Sequence, residues 1–344
     1  MSSNRLVLFI AGDPGGAAAL LPVIQNWEGH KVVFGYRQAA NIFSGSGLQT
    51  HALDNCDAST SAAWNSIETT QTALVVGATS VNGEDWERHF FVAAQARGIP
   101  SLSLLDYWSN YTQRFTLTRP LDALPDAIAI MDERARVEMI AAGFPPERLH
   151  ITGQPVLDAA REWLIGITKS DRTRYRERLG LAAAERAHLF VSQPLREMNQ
   201  ATGQQTLEMD EFAGLSQLTS ALATAPVSSK VLLVKTHPRE STNKYDSLLA
   251  TLPFPARVVA PHHHRWEVCL AADHIWGVNS MLLEEAQAMK CRVNRITSKA
   301  DCELDLAAQT NTDEQTPAIG SPPARKQIIE LILALLKPEQ RQPQ

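Results

Sequence analysis

The sequence predicts an α/β protein of two tandem, doubly wound domains, and three observations carry that expectation. The 344 residues exceed what a single core ordinarily organises. Apolar runs of strand length alternate with helical stretches from end to end, as in parallel strands joined by helical crossovers. The alternation halts near Gln154–Ile167 and then begins again.

In the first half, strands are predicted over Arg5–Ala11, Lys31–Tyr36, Thr72–Gly77, Pro100–Leu105, Ala127–Met131 and Leu149–Thr152. Helices are expected over Ala17–Trp27, from about Glu84 to Arg97, and over Glu133–Ala142, the last two closed by Gly98 and Gly143. The second half offers strands at His188–Ser192, Val231–Lys235, Arg257–Val259, His274–Val278 and Arg292–Ile296. Its helices are Arg172–Leu179, Asp210–Ala223, Trp266–Ala271, Ser280–Met289 and Ala324–Leu336. The expected domains are therefore 1–158 and 159–336, followed by a polar, proline-rich tail over 337–344 expected to be disordered.

Composition narrows the function classes. A net charge of −5 offers no attraction to nucleic acid. No apolar run is long enough to cross a bilayer, and Leu6–Ile10 is too short for the core of a signal peptide. A cytoplasmic protein is expected. The basic stretch Arg172–Arg178 reads first as a solvated helix face, leaving peripheral contact with an inner membrane face as the minor reading. Cys56, Cys269, Cys291 and Cys302 lack metal-ligand spacing, and three consecutive histidines, His262, His263 and His264, cannot easily all face one ion. No metal and no cofactor is expected.

In open parallel sheets ligands bind beside the carboxyl ends of strands. Four loops stand there. In Gly12-Asp13-Pro14-Gly15-Gly16, glycines permit close backbone approach and expose amides at a helix start. Its spacing departs from the dinucleotide fingerprint, and a tight structural turn explains it equally well. In Asp106-Tyr107-Trp108-Ser109-Asn110-Tyr111 a carboxylate among aromatics suits a sugar or polyol. The alternative is that Trp108 and Tyr111 are core residues and Asp106 caps a turn. Asp13 and Asp106 are candidate general bases, with Gly15, Gly16, Trp108 and Asn110 on the acceptor side.

The third loop, Lys235-Thr236-His237-Pro238-Arg239, places three potential cations within five residues, and Pro238 keeps His237 extended. Lys235 and His237 then share one side, as a diphosphate clamp requires. In the fourth, Asn279 or Ser280 caps a helix whose first turns carry Glu284 and Glu285. Its amides suit phosphate and its acids suit ribose hydroxyls.

Several of these stretches resemble one superfamily. Leu124-Pro125-Asp126, Ile130-Met131-Asp132 and Arg148-Leu149-His150-Ile151-Thr152-Gly153-Gln154-Pro155-Val156-Leu157-Asp158 resemble the end of the first domain in GT-B proteins, including UDP-N-acetylglucosamine 2-epimerases. Lys235–Pro238 and Ser280–Glu285 are similar to segments of CDP-glycerol glycerophosphotransferases and bacterial polysialyltransferase-like enzymes. The resemblance implies two Rossmann-like domains with parallel sheets facing a cleft, the donor in the second and the acceptor in the first. It assigns donor phosphates to His237, Asn279 and Ser280, ribose to Glu285 or Glu284, and a bordering role to Ser192 and Gln193. Where the epimerases carry an acidic His-x-Glu-Ala-Gly segment, Leu104–Trp108 stands instead, and Val278-Asn279-Ser280-Met281 replaces their Asp-Ser-Gly-Gly turn.

The expected activity is metal-independent transfer of a sugar or polyol phosphate from a nucleotide-activated donor to an acceptor hydroxyl, with glycan or lipid-linked acceptors in view. His237, Lys235 and the amides at Ser280 would stabilise the leaving phosphate. The alternatives are nucleotide-sugar 2-epimerisation and non-catalytic nucleotide binding.

Overall fold

A computed structural model of the chain describes residues 5–53, 58–81, 85–197, 209–226, 229–297 and 322–337. Cys56, Cys302 and the tail beyond residue 337 lie outside them. The chain forms two compact units, Met1–Asp158 with Pro317–Gln344, and Ala159–Thr316.

In the first unit, β1 (Leu6–Ala11), β2 (Lys31–Gly35), β3 (His51–Ala52), β4 (Thr72–Gly77), β5 (Ser101–Leu104), β6 (Ala127–Ile130) and β7 (Leu149–Ile151) form one parallel sheet. Its order is β3-β2-β1-β4-β5-β6-β7, so the winding reverses between β1 and β4. The crossovers are α1 (Pro14–Asn26), α2 (Arg37–Gly45), α3 (Thr60–Thr70), α4 (Trp86–Gln95) and α5 (Glu133–Ala141). Strand β1 shows why both faces must be covered. Val7, Phe9 and Ala11 enter one buried cluster, and Leu8 and Ile10 enter another.

Helix α6 (Pro155–Ile165) and α7 (Lys169–Arg178) lead to the second sheet. Its strands are β8 (Arg186–Val191), β9 (Lys230–Lys235), β10 (Ala256–Val258), β11 (His274–Gly277) and β12 (Val293–Arg295). All pair in parallel in the order β10-β9-β8-β11-β12, reversing between β8 and β11. Helices α8 (Glu211–Thr224), α9 (Asp246–Leu249), α10 (Arg265–Ala271) and α11 (Met281–Ala288) complete the unit. Ala187, Leu189 and Val191 face one core; Phe190 faces the other.

Helix α6 runs through the region of the join, where no element was predicted, because Ala160, Trp163 and Leu164 recur at helical spacing and pack on the second core. One expectation is corrected. The last helix, α12 (Ala324–Leu335), belongs to the first unit instead of to 159–336. Ile328, Ile332 and Leu336 are buried against Leu20, Val23 and Ile24 of α1, and Arg5 Nη1 donates to the Leu336 carbonyl at 2.7 Å. Hydrophobic periodicity shows that such a helix has a buried face but not which core receives it. Helices α2 and α3 also form where no element was predicted. Among the described residues no helix is long and apolar enough to cross a membrane.

Candidate functional site

The loop after β1 lies at the first sheet's reversal. Asp13 occupies the N-cap position of α1 without capping it. Its Oδ2 instead accepts the Val81 amide at 3.1 Å, and its Oδ1 faces Arg37 Nη1 at 3.3 Å. The charge set against the helix start comes from Asp106. A Cβ on Gly15 would lie 2.4 Å from Asp106 Oδ2, so that carboxylate sits against the first turn of α1. A helix N-terminus favours an anion, and here a side chain of the same unit is placed beside it. Gly15 and Gly16 are needed for packing as well: a Cβ on Gly16 would come within 2.5 Å of the Ala78 Cβ.

Asp106 is further anchored by Arg114, which also donates to the Thr79 carbonyl at 2.6 Å and to Thr79 Oγ1 at 2.8 Å. Thr79 Oγ1 donates to Asp106 Oδ1 at 3.2 Å. Asp106 is therefore not a turn cap. Its Oδ2 makes no hydrogen bond among the described residues. Trp108 and Tyr111 take the structural role. The Trp108 indole donates to Asp132 Oδ2 at 2.9 Å, the Tyr111 hydroxyl donates to Glu138 at 2.5 Å, and both rings pack on the first unit's core. Asn110 adopts a left-handed backbone (φ 55°), which Asn tolerates better than most residues, and its carbonyl accepts the Arg114 amide.

Beneath this loop lies a group the sequence reading missed. Glu87, 2% exposed on α4, accepts the Gly12 amide at 3.1 Å, the Ser80 hydroxyl at 2.6 Å and the Tyr36 hydroxyl. One carboxylate thus ties together the loops after β1, β2 and β4. Its signal was an acid three and four residues before Phe90 and Phe91, on the buried face of a helix. Burial pushes the Glu87 carboxyl from its ordinary 4.5 up to about 7. The folded protein therefore holds this proton more tightly than the unfolded chain does. The resulting stability is complete below about pH 4.5 and is lost as pH rises through about 7. Urea midpoints should fall between about pH 5 and pH 8, and Glu87→Gln should flatten that fall. An identical slope in the variant would clear Glu87 as its cause.

In the second unit, Val191 of β8 pairs in register with Lys235 of β9, and Trp276 of β11 pairs with Phe190. The loops opening at Ser192, Thr236 and Val278 therefore leave one carboxyl edge side by side. The ends of β9 and β11 stand roughly 10 Å apart, two interstrand spacings across β8. Lys235 is half-buried, and burial pushes its ammonium below the ordinary lysine value, with Arg265 adding to the push. Among the described residues no carboxylate pairs with Lys235 or with the Arg239 guanidinium. His237 Nδ1 accepts the Arg239 amide at 3.1 Å, which places the ring proton on Nε2 as a donor. Ser280 caps α11, accepting the Leu282 amide at 3.3 Å. Asn279 and the half-buried Gln193 lie beside the same strand ends.

Two predicted ribose acids are held elsewhere. Glu285 is buried, accepting Arg265 Nε at 2.6 Å and the Trp266 indole, because an acid on the inner face of α11 must be compensated. Glu284 pairs with Arg295 at 2.6 Å. Ser192 is also buried, donating to Glu240 Oε1 at 2.9 Å and touching the Tyr245 hydroxyl. Glu240 itself went unnoticed, though it lies three residues after His237. Its Oε2 accepts the His237 amide at 2.7 Å, and its Oε1 receives Lys244 at 2.8 Å. Lys244 also bonds Glu211 at 2.7 Å and Glu197 at 2.8 Å, the buried support of the loop. The rings of His262 and His263 lie 4.2 Å apart, tilted by 35°, and no group of three or more His, Cys, Asp or Glu among the described residues is arranged to hold a metal.

Two doubly wound units, each with its loop cluster at a sheet reversal, make this a GT-B-type α/β fold. No protein-family model matches the sequence, and no curated protein matches it. Solved structures do match. The UDP-GlcNAc 2-epimerase from Methanocaldococcus jannaschii aligns with a TM-score of 0.66 at 10% identity, over 96% of this chain and 99% of that one. The Neisseria meningitidis UDP-GlcNAc 2-epimerase, solved bound to UDP-GlcNAc, gives 0.62 at 14% identity over 85% and 82%. A glycosyltransferase from Rickettsia africae gives 0.59 at 11% identity over 85% and 79%. At such identities the likeness establishes the fold alone.

Proposed function

We propose that the chain is a metal-independent transferase that binds a nucleotide-activated sugar or polyol phosphate through the carboxyl edge of its second sheet. The observation that carries this reading is the half-buried Lys235 ammonium, without a carboxylate partner among the described residues, in one row with His237 and the N-terminus of α11. A half-buried cation without an internal counter-charge suits an anion from outside. Lys235, His237 Nε2 and the α11 amides supply the stabilisation that a metal would otherwise give the leaving phosphate. Fold neighbours solved with UDP-GlcNAc support a nucleotide-sugar ligand.

In the transfer, the acceptor oxygen bonds to the donated group as the bond to the leaving phosphate oxygen breaks. The acceptor proton passes to a carboxylate. Asp106, with its free Oδ2, suits that role better than Asp13, whose two oxygens are both engaged. Acceptor recognition is assigned to the first unit, and surface glycan synthesis is the setting that suits such a reaction. A second reading, 2-epimerisation of a nucleotide sugar, is supported by the match over 99% of the Methanocaldococcus epimerase.

UDP-, CDP-, CMP- and GDP-linked compounds should be screened by thermal shift, since a ligand selective for the folded state raises the melting temperature. One class should raise it in the wild type and not in Lys235→Ala. If none does, the donor site is wrong. The two chemistries then separate in D2O without acceptor: an epimerase incorporates deuterium at C2 of the sugar, and a transferase does not. Binding with neither exchange nor acceptor-dependent nucleotide release would mark a non-catalytic nucleotide-binding protein.

A further inference from the structure

We infer that the second unit carries another anion site, at the amino edge of its sheet, which takes a small phosphate-class polyanion. A cavity of about 380 Å³ lies there, at the strand ends opposite Lys235 and Ser280. Its charged lining is Arg186 at the start of β8, Arg292 just before β12, Lys290 after α11, Arg172 and one carboxylate, Asp273. Arg172 is already engaged, pairing with Asp273 at 2.9 Å and donating to the Leu270 carbonyl at 2.9 Å. Arg186, Lys290 and Arg292 have no carboxylate partner among the described residues. Three uncompensated cations around one hollow are notable in a chain of net charge −5.

The ordinary explanation for basic side chains here is that carbonyls at helix C-termini attract them. Arg172 and Arg176 fit it, donating to carbonyls at the end of α10. Arg186, Lys290 and Arg292 make no such side-chain bond among the described residues. A second observation points to a ligand. His274, 2% exposed, lines the cavity, and its Nδ1 is buried without a hydrogen-bond partner. The imidazole is held in place by stacking on His188, with ring centres 5.2 Å apart and planes within 9°. The three cations offer an anion charge, and the imidazole beside them holds an unsatisfied nitrogen that is closed to solvent in this structure. Lys290 also occupies the left-handed position that ends α11 (φ 60°), where glycine is usual.

The probe is inorganic pyrophosphate, followed by isothermal titration calorimetry on the full chain. The proposed donor site would also accept pyrophosphate, so the measurement is made in Lys235→Ala/His237→Ala, where any remaining binding belongs elsewhere. In that background binding should persist. Adding Arg186→Ala and Lys290→Gly should abolish it; both positions are exposed, and glycine relieves the backbone at 290, so circular dichroism and melting should stay native. Conversely, Arg186→Ala/Lys290→Gly alone should leave any donor-induced thermal shift intact, separating a failure of this site from a failure of the donor site. No binding in the Lys235→Ala/His237→Ala background, or binding unaffected by the added pair, would overturn the assignment.

Discussion

Lys235→Ala and His237→Ala should each lower kcat/KM with a nucleotide-linked donor by roughly 10²–10³-fold, about 3 kcal/mol in the barrier. Lys235 ends β9 and His237 stands in the loop just beyond it, at the carboxyl end that neighbours Ser192 and, across β8, the start of α11. Preorganised donors aimed at a phosphate gain most as charge develops on the leaving oxygen, so for His237→Ala the loss should fall on kcat more than on KM, whereas Lys235→Ala, which removes the ground-state anion contact, should raise KM as well. The tautomer makes a further demand of His237. Its Nδ1 accepts the Arg239 amide, so Nε2 carries the ring proton that the proposed phosphate contact requires. Gln in its place restores a donor without that fixed geometry and should recover only part of the activity. Wild-type turnover in both alanine variants would remove this edge from the reaction.

The second large effect is on stability. Lys244→Met should reduce the unfolding free energy by about 3–5 kcal/mol, because removing one partner of a buried ion cluster leaves the others uncompensated. The Lys244 side chain is 10% exposed, and the carboxylates of Glu211 and Glu240 are 1% and 0% exposed. Burial opposes the Lys244 charge, but its hydrogen bonds to Glu197, Glu211 and Glu240 more than reverse this, and the ammonium stands above its ordinary value. The cluster also reaches the candidate site, since Glu240 holds both the His237 amide and the Ser192 hydroxyl. Urea unfolding of the variant reads the effect directly. A loss below about 1 kcal/mol, the range of exposed pairs, would show that solvent screens the cluster.

The strands of both sheets other than β3 were legible in the sequence because most are buried and read as continuous apolar runs; β3, two exposed residues at His51–Ala52, carries no such signal. Helices α2 and α3 were less so. Thr60–Thr70 mixes small, polar and apolar residues without a strong stripe, and Arg37–Gly45, though amphipathic, is short and buries only Ala39 and Phe43. At the site, local order was again the readable part. Pro238 after His237 and Ser280 before an apolar helix mark their own backbone geometry. Glu284 and Glu285 were assigned to ribose because adjacent acids one turn into a helix suit hydroxyls. Their partners, Arg295 and the pair Arg265 and Trp266, come from β12 and α10, and no spacing in the chain announces them.

Hydrophobic periodicity, turn residues and the restart near Gln154 were enough, by themselves, to determine two α/β units and the loops at their strand ends, because these depend on residues close in the chain. Which core received α12, which acids became ion-pair partners, and which carboxylate bound the loops after β1, β2 and β4 were decided only by tertiary structure. Each depends on charges and apolar faces brought together from distant segments, where desolvation forces every buried polar group to find whichever partner the packing supplies.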